Sequence, residues 1–190
     1  MTRTNQKARR GVTLIEMMIV VVLLSLVSAL ALPKINMAQY RTDDSVRLVR
    51  TTLQKAQRLA ITRQYDVIVA FDTLDQRMQI IQDLNNNGAL DAGEIANWVP
   101  LDNGVKFSTP STGVNGVVTA SVTGTRLATV STMPAVVFLR SGSASTNVEV
   151  YMTAPGNNGV TEWRGVQVTQ STGRTVWYRW LVNTWTKASI

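Results

Sequence analysis

The chain has 190 residues, 45% of them apolar, which is enough for one globular domain with an additional segment. Its 19 Lys and Arg residues exceed its 12 Asp and Glu residues, giving a formal net charge of +7. Because it contains no His and no Cys, it excludes a His-dependent triad, a Cys nucleophile, a disulfide and a zinc site built on His or Cys.

Residues 1–11 form a basic leader with four cations and no acidic residue. An apolar run of 21 residues follows, from Val12 to Leu32, and Pro33 closes it. As a helix this run is about 32 Å long at ~1.5 Å per residue, enough to cross a hydrocarbon core of ~30 Å. The cations ahead of it predict a single-pass membrane protein with its leader in the cytoplasm and its remainder outside.

Glu16 is the one ionisable residue of the apolar run. A carboxylate at the centre of a bilayer costs about 2.5–3.5 kcal/mol, and less near the edge, so its presence needs a reason. One alternative is that Glu16 reaches the membrane interface and does nothing more. A second alternative, a secretory signal peptide, is disfavoured because the run is long and no small-x-small cleavage site follows it.

The six residues Gly11-Val12-Thr13-Leu14-Ile15-Glu16 lie between a basic leader and a long apolar helix. This arrangement resembles the processing motif of type IV pilins and type II secretion pseudopilins. The resemblance implies that prepilin peptidase cleaves between Gly11 and Val12, that Val12 becomes the N-methylated terminus, and that Glu16 engages the N-terminal amine of a neighbouring subunit. Val12 departs from the Phe or Met usual in the family, so we expect slower processing but not its loss.

Beyond Pro33 the helical pattern continues with an apolar stripe at spacings of 3 and 4, made of Val46, Val49, Leu53, Ala56 and Ala60. We therefore expect one helix over residues 12–63, spanning the membrane to about residue 32 and amphipathic after Pro33. Basic residues lie mostly off the stripe and are interpreted as a solvated helix face. Asp43 and Arg47 have the i,i+4 spacing of an ion pair.

Residues 64–190 predict an all-β globular domain of short strands separated by Gly, Asn, Ser and Pro. The expected strands are Val67–Phe71, Met78–Gln82, Ile95–Val99, Val105–Ser108, Val117–Val122, Val136–Arg140, Val148–Met152, Val160–Thr169 and Thr175–Val182. Residues 102–104 and 171–173 are expected hairpin turns. The fold class is α+β, with the long N-terminal helix packed on an antiparallel sheet or sandwich.

That layout is similar to the GspH/FimT group of minor pseudopilins. The resemblance implies a non-enzymatic subunit of a type II secretion pseudopilus, anchored in the inner membrane with its C-terminal domain in the periplasm. Its implied partners are other pseudopilins, prepilin peptidase and secreted proteins. The alternative is a minor type IV pilin, FimT- or FimU-like, that acts in pilus initiation or DNA uptake.

The segment Asp83–Glu94 fits the calcium-loop pattern D-x-[DN]-x-[DN]-G-x5-E at every defined position. Its candidate oxygen ligands are Asp83, Asn85, Asn87, the Ala89 carbonyl, Asp91 and Glu94. Because the flanking residues predict strands, the loop is not an EF-hand, and three carboxylates suit weak binding at about 10⁻⁴–10⁻³ M. The alternative is a hairpin loop closed by Asx turns, without metal.

The C-terminal segment mixes aromatic residues with Arg164, Arg174, Arg179 and Lys187. Such a mixture is one way to bind nucleic acid. DNA-binding relatives have a C-terminal Gly-Arg-x-Arg, whereas this chain has Gly-Arg-Thr-Val at residues 173–176. Alternation along a strand explains the aromatic residues equally well, as core or subunit interface.

Charge is arranged in blocks along the chain. Residues 34–63 carry seven basic and two acidic residues, residues 64–105 carry one and seven, and residues 106–190 carry seven and two. Without the leader the chain has 15 basic and 12 acidic residues. This pattern suits contacts between subunits at least as well as binding to a polyanion.

Overall fold

The computed structural model describes residues 11–31, 37–102, 104–155, 161–181 and 183–188. The chain forms two compact units, the first ending at Asn36 and the second beginning at Met37. The first contains helix α1 (Leu14–Ala31), and the second contains helix α2 (Met37–Arg63) and all the described strands. The predicted continuity of one helix across Pro33, like most of the leader, falls outside the described residues.

Two antiparallel sheets make up most of the second unit, which confirms the predicted α+β class. The first sheet has the order β3-β2-β1-β7-β6, where β1 is Asp66–Asp72, β2 Arg77–Asp83, β3 Ile95–Pro100, β6 Ala128–Val130 and β7 Met133–Phe138. The second sheet has the order β11-β10-β9-β8-β4, with β5 also paired to β8. Its strands are β4 Lys106–Phe107, β5 Val122–Gly124, β8 Val148–Pro155, β9 Thr161–Val168, β10 Thr175–Leu181 and β11 Thr184–Lys187.

The apolar stripe of α2 is fully buried, as its spacing predicts: Val46, Val49, Leu53, Ala56 and Ala60 all lie in the main core. The helix packs on strands of both sheets, so one core joins all three elements. Within this core the rings of Phe71 and Phe107 meet edge to face at 5.9 Å between centroids. The helix therefore holds the two sheets together.

One predicted strand and one predicted turn are wrong, and two strands were missed. The expected strand Val117–Val122 is irregular up to residue 121, and β5 begins only at Val122. Strands β6 and β11 were not expected. The expected hairpin turn at residues 102–104 does not join paired strands, because β3 pairs with β2 in the first sheet and β4 pairs with β8 in the second. Asp102 and Gly104 lie on a connection from one sheet to the other, and residue 103 falls outside the described residues.

The irregular segment before β5 is attached to the outer face of the second sheet. The buried Tyr151 hydroxyl accepts a hydrogen bond from the Val114 backbone N–H at 2.7 Å, and Trp185 Nε1 donates to the Thr112 carbonyl at 2.8 Å. The Tyr151 and Trp185 rings pack at 5.4 Å. Burial, together with its hydrogen bond to Glu149, raises the pKa of the Tyr151 phenol.

Gly173, in the turn between β9 and β10, lies close to α2. Its φ of +61° is in the left-handed region, and an added Cβ would meet the Gly142 carbonyl oxygen and the Gln57 amide. Gln57 Nε2 itself donates to the Gly142 and Thr172 carbonyls at 2.7 and 2.8 Å. This turn is therefore fitted against the helix without room for a side chain.

Gly173→Ala is expected to lower the free energy of unfolding by at least about 2 kcal/mol, because backbone strain adds to the collision with Gln57 and Gly142. Urea denaturation of the full chain in detergent measures this loss. The matched control is Gly93→Ala, where φ is also positive but nothing lies within 4 Å of the added Cβ. A loss no larger than that of the control would contradict the predicted crowding.

Candidate functional site

The predicted processing segment lies at the N-terminal end of α1. Gly11, Val12 and Thr13 are exposed and precede the helix, which begins at Leu14. The Gly11–Val12 peptide bond therefore lies in non-helical, accessible backbone.

Thr13 and Glu16 cap α1 reciprocally. The Thr13 hydroxyl accepts a hydrogen bond from the Glu16 backbone N–H at 3.3 Å. Glu16 Oε2 accepts from the Thr13 backbone N–H at 2.8 Å and from the Thr13 hydroxyl at 2.9 Å. This is a capping box, in which a Thr and a Glu three residues later satisfy the free donors of a helix N-terminus. Sequence reasoning assigned Glu16 to a neighbouring subunit and missed this role, although the Thr-x-x-Glu spacing signals it.

Apart from Glu16 and two serines, α1 consists of apolar residues, and its large apolar side chains between Leu14 and Val27 are all exposed. No helix within the described ranges combines the length and the hydropathy that a membrane span requires.

The Asp83–Glu94 loop joins β2 to β3 and is closed by its own hydrogen bonds. Asp83 is fully buried, and its two oxygens accept from the Asn87 and Gly88 backbone N–H groups at 3.0 and 2.7 Å. Asp91 Oδ2 accepts from the side-chain amides of Asn85 and Asn87 at 2.8 and 2.6 Å. The amide nitrogens, not the oxygens, thus point towards Asp91.

The Glu94 carboxylate is occupied in the same way. Glu94 accepts from the backbone N–H groups of Leu84 and Asp91 at 2.9 and 3.0 Å. Among the described residues, no three acidic side chains converge as they would around a metal ion. These contacts support the Asx-turn alternative for the loop, and calcium binding stays a prediction.

Calcium binding at this loop has a measurable expectation. At 10 mM Ca²⁺, a site with a dissociation constant of about 1 mM adds roughly 1.4 kcal/mol to stability, which is about 3–5 °C in Tm. Thermal unfolding of the chain with CaCl₂, against MgCl₂ at equal ionic strength, measures this shift. Asp91→Asn should abolish the shift, and an unchanged wild-type Tm would exclude the site.

The four candidate DNA-binding cations are not on one surface. Arg164, on β9, is 0% exposed, whereas Arg174 and Lys187 are exposed and the Arg179 side chain is 30% exposed. Burial takes Arg164 out of reach of a nucleic acid. The other three lie on β10 and β11 or just before them, next to α2.

Arg164 is instead held by an acidic residue of α2. Asp43 Oδ1 accepts from Arg164 Nε at 2.6 Å, and Asp43 Oδ2 accepts from Arg179 Nη2 at 2.8 Å. Arg164 also donates to Glu162 at 3.2 Å and to the Trp163 carbonyl at 2.9 Å. The predicted Asp43–Arg47 pair is wrong: both Asp43 oxygens are bound by arginines of the sheet, the buried Arg164 and the partly exposed Arg179. Arg47 pairs instead with Asp44 at 3.8 Å.

Sequence reasoning also missed the residues that α2 brings to this region. Arg50, which was interpreted as part of a solvated face, is half-buried and lies with Gln54 beside the exposed Arg174. The signal was present in the polar positions 43, 47, 50, 54 and 57, which follow the helical period next to the apolar stripe. Only the fold shows which sheet they face.

Comparison with known families identifies the chain at two levels. Residues 6–32 match the prokaryotic N-terminal methylation motif. Residues 45–173, more than half of the chain, match the type II transport protein GspH. The chain belongs to the GspH family.

Two solved structures of the minor pseudopilin EpsH from the type II secretion system of Vibrio cholerae are similar to this chain. One is 14% identical, with 71% of this chain and 94% of that chain covered and a TM-score of 0.45. The other is 16% identical, with 72% and 95% covered and a TM-score of 0.48. A comparison with curated protein sequences gives no match.

Proposed function

We propose that this chain is a minor pseudopilin of a type II secretion pseudopilus, processed by prepilin peptidase and assembled through α1. The observation that carries the proposal is the joint match of the methylation motif at residues 6–32 and the GspH family at residues 45–173. In this role the chain acts through assembly and not through catalysis. Its partners are the other pseudopilins, prepilin peptidase and the inner membrane, together with the secreted proteins.

The conformation at the start of α1 supports cleavage between Gly11 and Val12. A peptidase needs an extended, accessible substrate, and the helix begins only at Leu14. Cleavage leaves Val12 as the terminus, one residue before the Thr13 cap. The methylated α-ammonium then lies at the helix end where Glu16 supplies the negative charge.

The apolar surface of α1 supports a single membrane span before assembly. A helix with apolar side chains on all sides is stable only where apolar surroundings cover it. The basic leader ahead of it holds that end in the cytoplasm, so residues 37–190 lie in the periplasm.

Intact-mass spectrometry of the chain purified from membranes tests the proposal. In cells with active prepilin peptidase we expect a polypeptide that begins at N-methylated Val12. Cells without the peptidase, and a Gly11→Val variant, should retain the whole leader. A wild-type terminus other than Val12 in peptidase-positive cells would contradict the proposed processing.

The alternative of a FimT- or FimU-like pilin in DNA uptake stays a prediction. Because Arg164 is buried, it rests on three cations instead of four. A mobility shift of DNA by the chain, lost in Arg174→Gln, is its expected result.

A further inference from the structure

Polar contacts attach α2 to the second sheet and to neighbouring turns at two points. Between these points an opening separates the helix from the β10–β11 hairpin. At one end Asp43 binds Arg164 and Arg179, and at the other Gln57 donates to the Gly142 and Thr172 carbonyls. Gln57 follows Asp43 by fourteen positions along the helix, about 21 Å at ~1.5 Å per residue. Between them lie two adjoining hollows of about 370 and 340 Å³ that share Trp177, Lys187 and Ala188. We call this opening the basic cleft.

The lining of the basic cleft carries five cations and no acidic residue: Arg47, Arg50, Arg174, Arg179 and Lys187. Two are already paired, Arg179 with Asp43 and Arg47 with the exposed Asp44. Arg50, Arg174 and Lys187 form no salt bridge with any part of the chain that the structure describes. The cleft is therefore a concentrated positive surface.

The exposed cations of the lining, Arg174 and Lys187 among them, carry hydrogen-bond donors and no acceptor. A group that binds in the cleft is therefore an acceptor, and the surrounding charge makes it an anion.

We propose that the basic cleft binds an acidic peptide segment of a neighbouring subunit. A carboxylate accepts two parallel bonds from a guanidinium, and Asp43 already bridges two arginines at one end of the same line of contact. The open length of about 21 Å accommodates roughly six extended residues at ~3.3 Å each. That the segment comes from another filament subunit rests on the proposed function.

The lining favours a peptide over a nucleic acid. Single-stranded nucleic acids bind along rows of aromatic side chains on which successive bases stack. Trp177 is the one aromatic residue in the lining, and Arg179 lies over its ring at 6.0 Å. A lone ring already in contact with a guanidinium offers no such row.

Fluorescence anisotropy of labelled hexaglutamate with the full chain in detergent micelles tests this inference. We expect hexaglutamate to bind and hexaglutamine not to bind. Arg50→Gln with Arg174→Gln should weaken binding at least about tenfold, because two charge-assisted contacts are lost. The matched control is Arg58→Gln with Arg126→Gln, which removes the same charge from two exposed side chains and should weaken binding less than about twofold.

Several outcomes would overturn the inference. Absence of hexaglutamate binding would do so, as would equal weakening in both double variants, which would indicate general charge attraction. Tighter binding of a twelve-residue oligothymidylate, lost in the same cleft variant, would assign the cleft to nucleic acid. If the Arg50 variant fails to fold, Lys187→Gln on an exposed strand end provides the same test. Because processing at Gly11–Val12 does not involve the cleft, correct processing without hexaglutamate binding would refute this inference alone.

Discussion

Asp43→Ala is expected to lower the free energy of unfolding by about 3–5 kcal/mol, as measured by urea denaturation of the full chain in detergent. The substitution leaves Arg164, which is 0% exposed, without its shortest ion pair. Removing one partner of a buried pair is costly because the other charge stays buried and uncompensated. Arg164 keeps only its contacts to Glu162 and the Trp163 carbonyl.

The adjacent residue provides the matched control. Asp44 has the same charge on the same helix, but its side chain is 68% exposed and its pair with Arg47 is 3.8 Å long. Asp44→Ala should therefore change stability by less than about 0.5 kcal/mol. Combining Asp43→Leu with Arg164→Met should recover most of the loss, since apolar residues replace buried pairs with little penalty. Equal effects of the two alanine variants would show that Asp43 does not hold Arg164.

Glu16→Gln is expected to reduce incorporation of the processed subunit into the filament fraction at least about tenfold, with cleavage unchanged. The glutamine still accepts hydrogen bonds from Thr13, because either Glu or Gln serves in a capping box. It loses only the negative charge, which in the proposed filament stabilises a neighbour's terminal ammonium in apolar surroundings. Quantitative mass spectrometry of sheared filaments and membranes measures the partition.

Thr13→Ala makes the opposite change and separates helix capping from charge. It removes the hydroxyl that caps α1, at a cost of about 1 kcal/mol, but keeps the carboxylate of Glu16. Because 1 kcal/mol corresponds to roughly a fivefold change, we expect this variant to enter filaments within about fivefold of the wild type. Poor incorporation of Thr13→Ala with normal incorporation of Glu16→Gln would assign Glu16 to helix capping alone.

Local patterns predicted much of this fold. The stripe on α2 and most strands of the two sheets follow from periodicity, because burial of one face imposes that period directly on the sequence. The processing motif was equally readable, since it depends on a few adjacent residues. The missed β6–β7 hairpin shows the limit of such patterns. Its two turn residues, Ser131 and Thr132, both have positive φ. Turns of this kind are usually signalled by Asn-Gly, which is absent here.

The long-range contacts had no such signal. Asp43 and Arg164 are 121 residues apart, and the i,i+4 spacing of Asp43 with Arg47 offered a nearer and incorrect partner. The basic cleft is likewise built from α2 and β10, which lie more than 100 residues apart in the sequence. For the Asp83–Glu94 loop the ligand pattern was complete, but patterns do not show which way an Asn amide turns.

The polar contacts at the two ends of the basic cleft have a mechanical consequence. Asp43 and Gln57 fasten α2 to the sheet and its turns at points about 21 Å apart along the helix axis. A pull along that axis loads both fastenings and the buried stripe between them at once, so they resist in shear and must yield together. A subunit built this way transmits axial force from α2 to the sheets without breaking the contacts one after another.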